Sequence, residues 1–216
     1  MPAKRTRKTT EAPPGGIGLF EAMKGRRSVR RFQKDPVPRE KILAMVAAAL
    51  EAPRAGNVRN YRFLVVQEPE LLSRMRGIVD EVLSRITGKP ASGRITYQNL
   101  FAAAPVAVCV LGTPYESATD RQLRAVDPER HRIRRWQVNP GLQSVAAAVT
   151  QFLLAAHALG YGTCWMTGLL AAKAELESAL SVTPPEELLT VIALGVPDTL
   201  APKPSREPAE EITEFR

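Results

Sequence analysis

The sequence LQSVAAAVTQFLLAAHALGYGTCWM, residues 142–166, is the segment that decides the class of fold. Apolar residues recur at the spacing of a helix from Leu142 to Leu159, and Gly160 ends that helix. Its opposite face is largely alanine, so we expect the helix to be buried nearly all round. Residues Tyr161–Met166 follow as a short apolar strand. A buried helix joined to a buried strand predicts a sheet with helices packed on it.

The rest of the chain supplies more helices and strands, without strict alternation. The predicted strands are Tyr61–Gln67, Pro105–Gly112 and Leu188–Gly195, and the predicted helices are Ile17–Lys24, Glu40–Ala52, Leu71–Leu83 and Ala171–Leu180. The arginine-rich segment Thr113–Val138 is poorly periodic and longer than an ordinary connection, which is typical of a lid or binding segment. The hairpin signals of an all-β protein are missing, and the pattern favours an α+β fold with helices on both faces of the sheet.

Composition and charge indicate a globular, basic protein. Its 216 residues are 44% hydrophobic, enough for the core of one domain or two small ones. Lys and Arg number 30 against 22 Asp and Glu, and the formal charge of +8 would attract an anionic ligand, a nucleic acid or an acidic surface. We expect residues 1–16 to form a disordered basic tail and residues 17–216 to form the folded domain. Cys109 and Cys164 lie in apolar runs, and no secretory or membrane-spanning segment is recognisable, so we expect reduced thiols and a soluble cytoplasmic protein.

The segment RRSVRRF, residues 26–32, sets four arginines and a serine directly after a predicted helix end at Gly25. A guanidinium presents its donors in a planar fork that meets a phosphate through two hydrogen bonds, and a serine hydroxyl can fill the gap between two forks. A single phosphate would satisfy this cluster. The alternative is a solvated basic turn or a nucleic-acid patch.

Four segments, in order along the chain, resemble motifs of the FMN-dependent nitroreductase family. RRSVRRF resembles its amino-terminal phosphate motif, and APRAGNVRNYRF (residues 52–63) resembles the loop usually written A-P-S-x-x-N-x-Q-P-W-x-F. LGYGTCWMTG (residues 159–168) is similar to the G-L-G-x-x-W turn, and PKPSREP (residues 202–208) resembles the basic stretch near the carboxy terminus. The resemblance covers residues 18–216, nearly everything beyond the tail.

The resemblance implies a three-layer α-β-α fold with a central, mostly antiparallel sheet, completed by the C-terminal arm (residues 198–216) of a partner subunit. It also implies a homodimer with two FMN sites at its interface. The implied reaction is ping-pong transfer of a hydride from NAD(P)H through flavin N5 to a nitroaromatic, a quinone or a similar small acceptor. The cofactor carries this chemistry, so no catalytic side chain is predicted.

The same resemblance assigns the contacts to the cofactor. The predicted donors to the FMN phosphate are Arg26, Arg27, Ser28, Lys203 and Arg206. Arg30 would lie near flavin N1 and the C2 carbonyl, where a cation favours reduction. The backbone of Met166, Thr167 and Gly168 would face N5 and O4. The loop residues Pro53, Arg54, Ala55 and Asn57 would come from the second subunit.

Several alternatives stay open at this point. Arg54 replaces the family's serine, and its guanidinium could strengthen the pull on electrons, bind an anionic substrate or pair with an acid across the interface. A nucleic-acid or anion-binding module is a second interpretation, although its arginines lack interleaved aromatic residues. Similar scaffolds also serve reductive dehalogenation and flavin destruction, and the serine at position 28, where the flavin-destroying branch has aspartate, argues against the latter. His157 is expected to be a hydrogen-bonded core histidine. Four further residues either line a substrate cavity or serve packing, namely Tyr97, Gln98, Asn99 and Trp136.

Overall fold

The computed structural model describes residues 17–90, 96–200, 202 and 205–216. Two predictions lie outside the described residues, namely the disordered tail over residues 1–16 and the phosphate donor Lys203. Within the described ranges, no helix combines the length and the apolar character needed to cross a membrane.

A four-stranded antiparallel sheet forms the centre of the described structure. Its strands are β1 (Tyr61–Val66), β2 (Val106–Gly112), β3 (Gly162–Met166) and β4 (Glu187–Gly195). Their order across the sheet is β1-β2-β4-β3, and every neighbouring pair is antiparallel. The predicted, mostly antiparallel sheet is confirmed.

Strand β2 explains why helices cover both faces of the sheet. All of its residues are buried, and successive side chains of a strand point to opposite faces, so it contributes apolar groups to two cores. The two sets alternate along the strand: Val106, Val108 and Val110 face one core, and Ala107, Cys109 and Leu111 face the other. Burial raises the pKa of the Cys109 thiol to about 12, so this side chain stays neutral in the core.

Helices form one layer on each face. On one face lie α2 (Arg39–Leu50) and α6 (Pro140–Ala158), with α1 (Leu19–Gly25) packed against α6. On the other face lie α3 (Pro69–Thr87) and α7 (Lys173–Ala179). This confirms the predicted three-layer α-β-α arrangement.

The segment predicted as a poorly periodic insertion instead forms two short helices, α4 (Ala118–Val126) and α5 (Pro128–Gln137). Polar contacts rather than apolar periodicity hold them. Ser117 and Asp120 cap α4 reciprocally, and Arg134 Nε of α5 lies 2.8 Å from Asp120 Oδ1. Burial alone would raise the pKa of Asp120, but hydrogen bonds from Ser117 and Arg134 outweigh it and lower the pKa to about 2.

The prediction that the long helix is buried nearly all round is wrong for the single chain. Helix α6 begins where Asn139 Oδ1 accepts a hydrogen bond from the Leu142 amide at 3.1 Å, and it buries one face against the sheet and α2. On the other side Leu142 is 47% exposed and Thr150 is exposed. That side borders an apolar groove of about 720 Å³ between α1 and α6. Alanine made this face look like core in the sequence, but the described chain covers it only in part.

Candidate functional site

The arginine segment (residues 26–32) runs beside the outer edge of β3. Ser28 pairs with Thr163 in a parallel bridge, and the Val29 amide donates to the Thr163 carbonyl at 2.8 Å. Val29 is buried, whereas Ser28 is half-buried and Arg30 is exposed. Because side chains of extended backbone alternate, burial of Val29 turns Ser28 and Arg30 to the opposite side. The sheet edge therefore fixes where the predicted phosphate donors lie.

The glycine turn (Met166–Gly168) lies at the far end of the same strand. Met166 is buried, and its carbonyl accepts a hydrogen bond from Thr190 Oγ1 at 2.7 Å. Thr167 and Gly168 are exposed, and a short 3₁₀ turn begins at Gly168. The first amides of such a turn have no acceptor within it. A Cβ atom at Gly168 would meet only Gln98 Cγ, at 3.6 Å, so a flat ligand can approach the backbone here.

Strand β3 sets the distance between these two parts of the site. Ser28 lies opposite Thr163, and Thr167 follows four residues later. At the rise of a β-strand these two positions are roughly 13 Å apart. An elongated ligand can therefore place an anionic group at the arginine segment and a ring system at the glycine turn.

A turn over residues 96–99 lies between Arg30 and Gly168. The Arg30 guanidinium lies 5.5 Å from the centre of the Tyr97 ring, and the next residue, Gln98, is the neighbour of Gly168. Asn99 is fully buried and anchors the turn through hydrogen bonds. Arg30 and Tyr97 also line a groove of about 590 Å³. Tyr97 and Gln98 thus belong to the site, whereas Asn99 is structural.

Arg27 has a structural role that the sequence did not indicate. Its Nη1 donates to the carbonyls of Lys24, Gly25 and Arg26, each at 2.9 Å, and so satisfies the carboxy-terminal end of α1. Among the described residues, nothing forms a hydrogen bond or ion pair with the side chains of Arg26 or Ser28. Within the arginine segment, Arg26 and Ser28 are therefore more available to a phosphate than Arg27.

The proline loop (Pro53–Asn57) is built on the start of α6. The Ala55 amide donates to Ser144 Oγ at 2.9 Å, and Arg54 Nη2 donates to Asn57 Oδ1 at 3.2 Å. Asn57 has a positive φ of 55°, which asparagine tolerates. Within the described chain, no hydrogen bond or ion pair links this loop to the arginine segment or the glycine turn. In the described chain, the loop is therefore held by α6 and not by the other predicted site residues.

The C-terminal arm starts at the site and then leaves the chain's own surface. The Asp198 amide donates to the Arg31 carbonyl at 3.0 Å, which ties the beginning of the arm to the arginine segment. Residues 205–216 are all exposed, including Arg206, and Phe215 is 92% exposed. No described contact of its own chain holds the Arg206 side chain in place.

His157 is not the hydrogen-bonded core residue that the sequence indicated. It is half-buried in the last turn of α6, close to Gly25, and no described residue forms a hydrogen bond with its imidazole. Burial lowers the pKa of its imidazole, and the positive charges of Arg26 and Arg27 lower it further. The sequence feature that could have indicated this contact is Gly25, immediately before the arginine segment, because only a glycine leaves room for the imidazole there.

Comparison with known proteins gives consistent matches. The profile of the Nitroreductase family matches residues 23–196. The iodotyrosine deiodinase of Drosophila melanogaster is 29% identical over 187 residues, which are 86% of this chain, and the chain spans only 64% of that protein. A protein of Methanothermobacter thermautotrophicus, provisionally named NADH dehydrogenase/NAD(P)H nitroreductase, is 30% identical over 186 residues, 84% of this chain and 78% of that protein.

Solved structures share the fold. A BluB-like flavoprotein of Clostridium difficile 630 superposes with a TM-score of 0.83 at 30% identity, covering 93% of this chain and 100% of the other. An iodotyrosine deiodinase bound to FMN and 3-iodo-L-tyrosine superposes with a TM-score of 0.72 at 22% identity, covering 92% and 99%. At 22% identity, the second match shows only that the fold is shared.

Proposed function

Since the chain belongs to the nitroreductase family, we propose that it is a homodimeric FMN oxidoreductase that takes electrons from NAD(P)H and passes them to a small acceptor such as a nitroaromatic or a quinone. The family and its FMN-bound structures assign FMN as the cofactor. When bound, FMN supplies the redox chemistry by accepting a hydride from the nicotinamide and giving it up to the acceptor. The two buried thiols suit a reducing cytoplasm.

The observation that carries this proposal is the pairing of two binding features along β3. Arg26 and Ser28 have donors without described partners at one end, as a phosphate requires. Gly168 leaves an open backbone at the other end, as a flat ring system requires. FMN has a phosphate and a ring system at opposite ends, so the residues present fit it. We propose that Arg206 and Lys203 of the C-terminal arm complete the phosphate contacts.

We propose that Arg30 would lie beside the bound ring and favour its reduction. The contact with Tyr97 holds its guanidinium beside the turn that faces Gly168. A fixed cation near the pyrimidine edge stabilises the negative charge that this edge gains on reduction. The groove beside Arg30 and Tyr97 would then admit donor and acceptor in succession.

The exposed apolar surface of the single chain supports the homodimer. Leu19, Phe20 and Met23 of α1 are more than half exposed, and α1 borders the apolar groove along α6. Such surface is stable in water when a second copy covers it. In that dimer the proline loop of one chain would enter the partner's cofactor site, and the arm would cross to the partner. This arrangement would account for the exposure of residues 205–216 in the single chain.

Reductive dehalogenation is the second candidate, and the similarity to the Drosophila deiodinase favours it. The two chemistries share the same cofactor and the same scaffold, so they differ only in the acceptor that the groove admits. A third chemistry, destruction of the flavin, is disfavoured because this chain has Ser28 where the flavin-destroying branch has aspartate.

Kinetics with purified yellow protein test the proposal. Initial rates over a grid of NADPH or NADH against a quinone should give parallel double-reciprocal lines, because one groove serves both substrates in turn. Intersecting lines would rule out the ping-pong mechanism. Release of iodide from 3-iodo-L-tyrosine with reduced enzyme, in the absence of quinone turnover, would favour dehalogenation. Colourless protein retained on a polyanion and eluted by moderate salt would contradict both in favour of a nucleic-acid or anion-binding module.

A further inference from the structure

An imidazole without a polar partner lies against the turn that precedes the phosphate donors. A Cβ atom built at Gly25 would lie 2.6 Å from His157 Nε2, so the ring occupies space that a side chain at position 25 would need. The Arg27 guanidinium donates hydrogen bonds to the carbonyls of the same turn. His157 and Arg27 therefore both contact the turn from which Arg26 and Ser28 extend.

The charged groups that act on this imidazole are cations. They are Arg26 and Arg27, which follow α1. No carboxylate of the described residues forms an ion pair with this imidazole. Its pKa is lowered by burial first and by these two arginines second. An imidazolium here is disfavoured until an anion arrives beside the arginines.

We propose that His157 is a positioning residue of the phosphate site, which holds the Gly25–Arg27 turn in place and takes up a proton from solvent when the phosphate binds. The inference rests on the proposed binding of FMN at the arginine segment. A bound phosphate offsets the charge of the two arginines, so the pKa of the imidazole rises in the complex. By linkage, FMN affinity is highest where His157 is protonated and falls as the pH rises through the pKa of the complex.

Dissociation of FMN from the holoprotein on dilution, followed by flavin fluorescence, tests this. Between about pH 6 and about pH 8, the wild-type protein should lose roughly fivefold more affinity than His157→Gln, the change expected for a partly exposed ion pair. Glutamine fills much of the same space without titrating. Subtracting its profile of affinity against pH from that of the wild type removes the effect of ionisation of the FMN phosphate. Gly25→Ala displaces the imidazole and should also flatten the profile, although residue 157 is unchanged.

A spectroscopic measurement keeps the test independent of the variants' folding. The chain has two histidines, so His131→Gln leaves a single imidazole to follow by NMR. Its pKa should be higher in the FMN-loaded protein than in protein stripped of FMN. Identical pH profiles for wild type and His157→Gln, or an imidazole pKa that FMN does not change, would overturn the inference while leaving the proposed function intact. FMN binding that is unaffected by Arg26→Ala would instead show that the phosphate site itself is elsewhere.

Discussion

Replacing Arg26 with alanine should weaken FMN binding by about 10- to 150-fold. Arg26 is half-buried near Ser28 at the edge of β3, and among the described residues no side chain or carbonyl engages its guanidinium. The substitution therefore removes a contact to the ligand without breaking one inside the protein. A hydrogen bond to a charged group contributes about 1.5–3 kcal/mol, which corresponds to that loss of affinity.

Calorimetric titration of FMN and of riboflavin into the apoprotein measures the effect. Only the affinity for FMN should fall, because riboflavin lacks the phosphate that Arg26 contacts. Arg39→Ala is the matched control, since it removes the same charge from an exposed position at the start of α2. Equal wild-type affinities for FMN and riboflavin, or an unchanged FMN affinity in Arg26→Ala, would refute the phosphate assignment.

Three further predictions concern the arm, the α4–α5 helix pair and Asp120. Removal of residues 198–216 should abolish both flavin binding and dimerisation, since Arg206 leaves with the arm, and light scattering that finds a stable, flavin-loaded monomer would contradict this. Replacing residues 118–137 by a short linker should alter acceptor preference and Michaelis constants but leave the flavin absorbance unchanged, because the arginine segment lies beside β3 and the glycine turn at its end. Asp120→Asn should lower the free energy of unfolding at neutral pH by about 2 kcal/mol in urea titrations, because the folded pKa of about 2 lies below the ordinary 3.8. That contribution is present above about pH 4 and is lost as the pH falls towards 2, so a wild-type stability that does not depend on pH in this range would disprove it.

Apolar periodicity made the core elements predictable. β2 is a continuous buried run, and α6 carries apolar residues at helical spacing, so both could be located from the sequence to within a few residues. The helices α4 and α5 were missed because their stability comes from Asp120, Arg134 and polar caps, which leave no apolar stripe. The cap Ser117-x-x-Asp120 was the available signal.

Within the site, residue types were predictable and their roles were less so. The motifs singled out Ser28, Arg30 and Gly168, and the structure shows that these lie along or beside one strand; their contacts with FMN stay predictions. The family is confirmed, and the predicted cofactor agrees with the FMN bound in an iodotyrosine deiodinase of the same fold. The use of Arg27 at the end of α1 depends on how a flexible side chain folds back, which no linear motif encodes. The predicted contact of the proline loop with a partner's cofactor depends on a dimer, so it stays a prediction.

The bridge between Ser28 and Thr163 has a consequence for solubility. β3 is an outer strand of the sheet, and an open outer strand offers unpaired amides and carbonyls on which foreign strands can assemble. The arginine segment lies along part of that border and carries several like charges, which repel an incoming strand. A Cβ atom at Gly162 would approach Val29 Cγ2 to 2.6 Å, so even a small side chain there would push the segment away. Gly162→Ala should therefore promote aggregation as well as loss of cofactor, because the same seven residues protect the border from self-association.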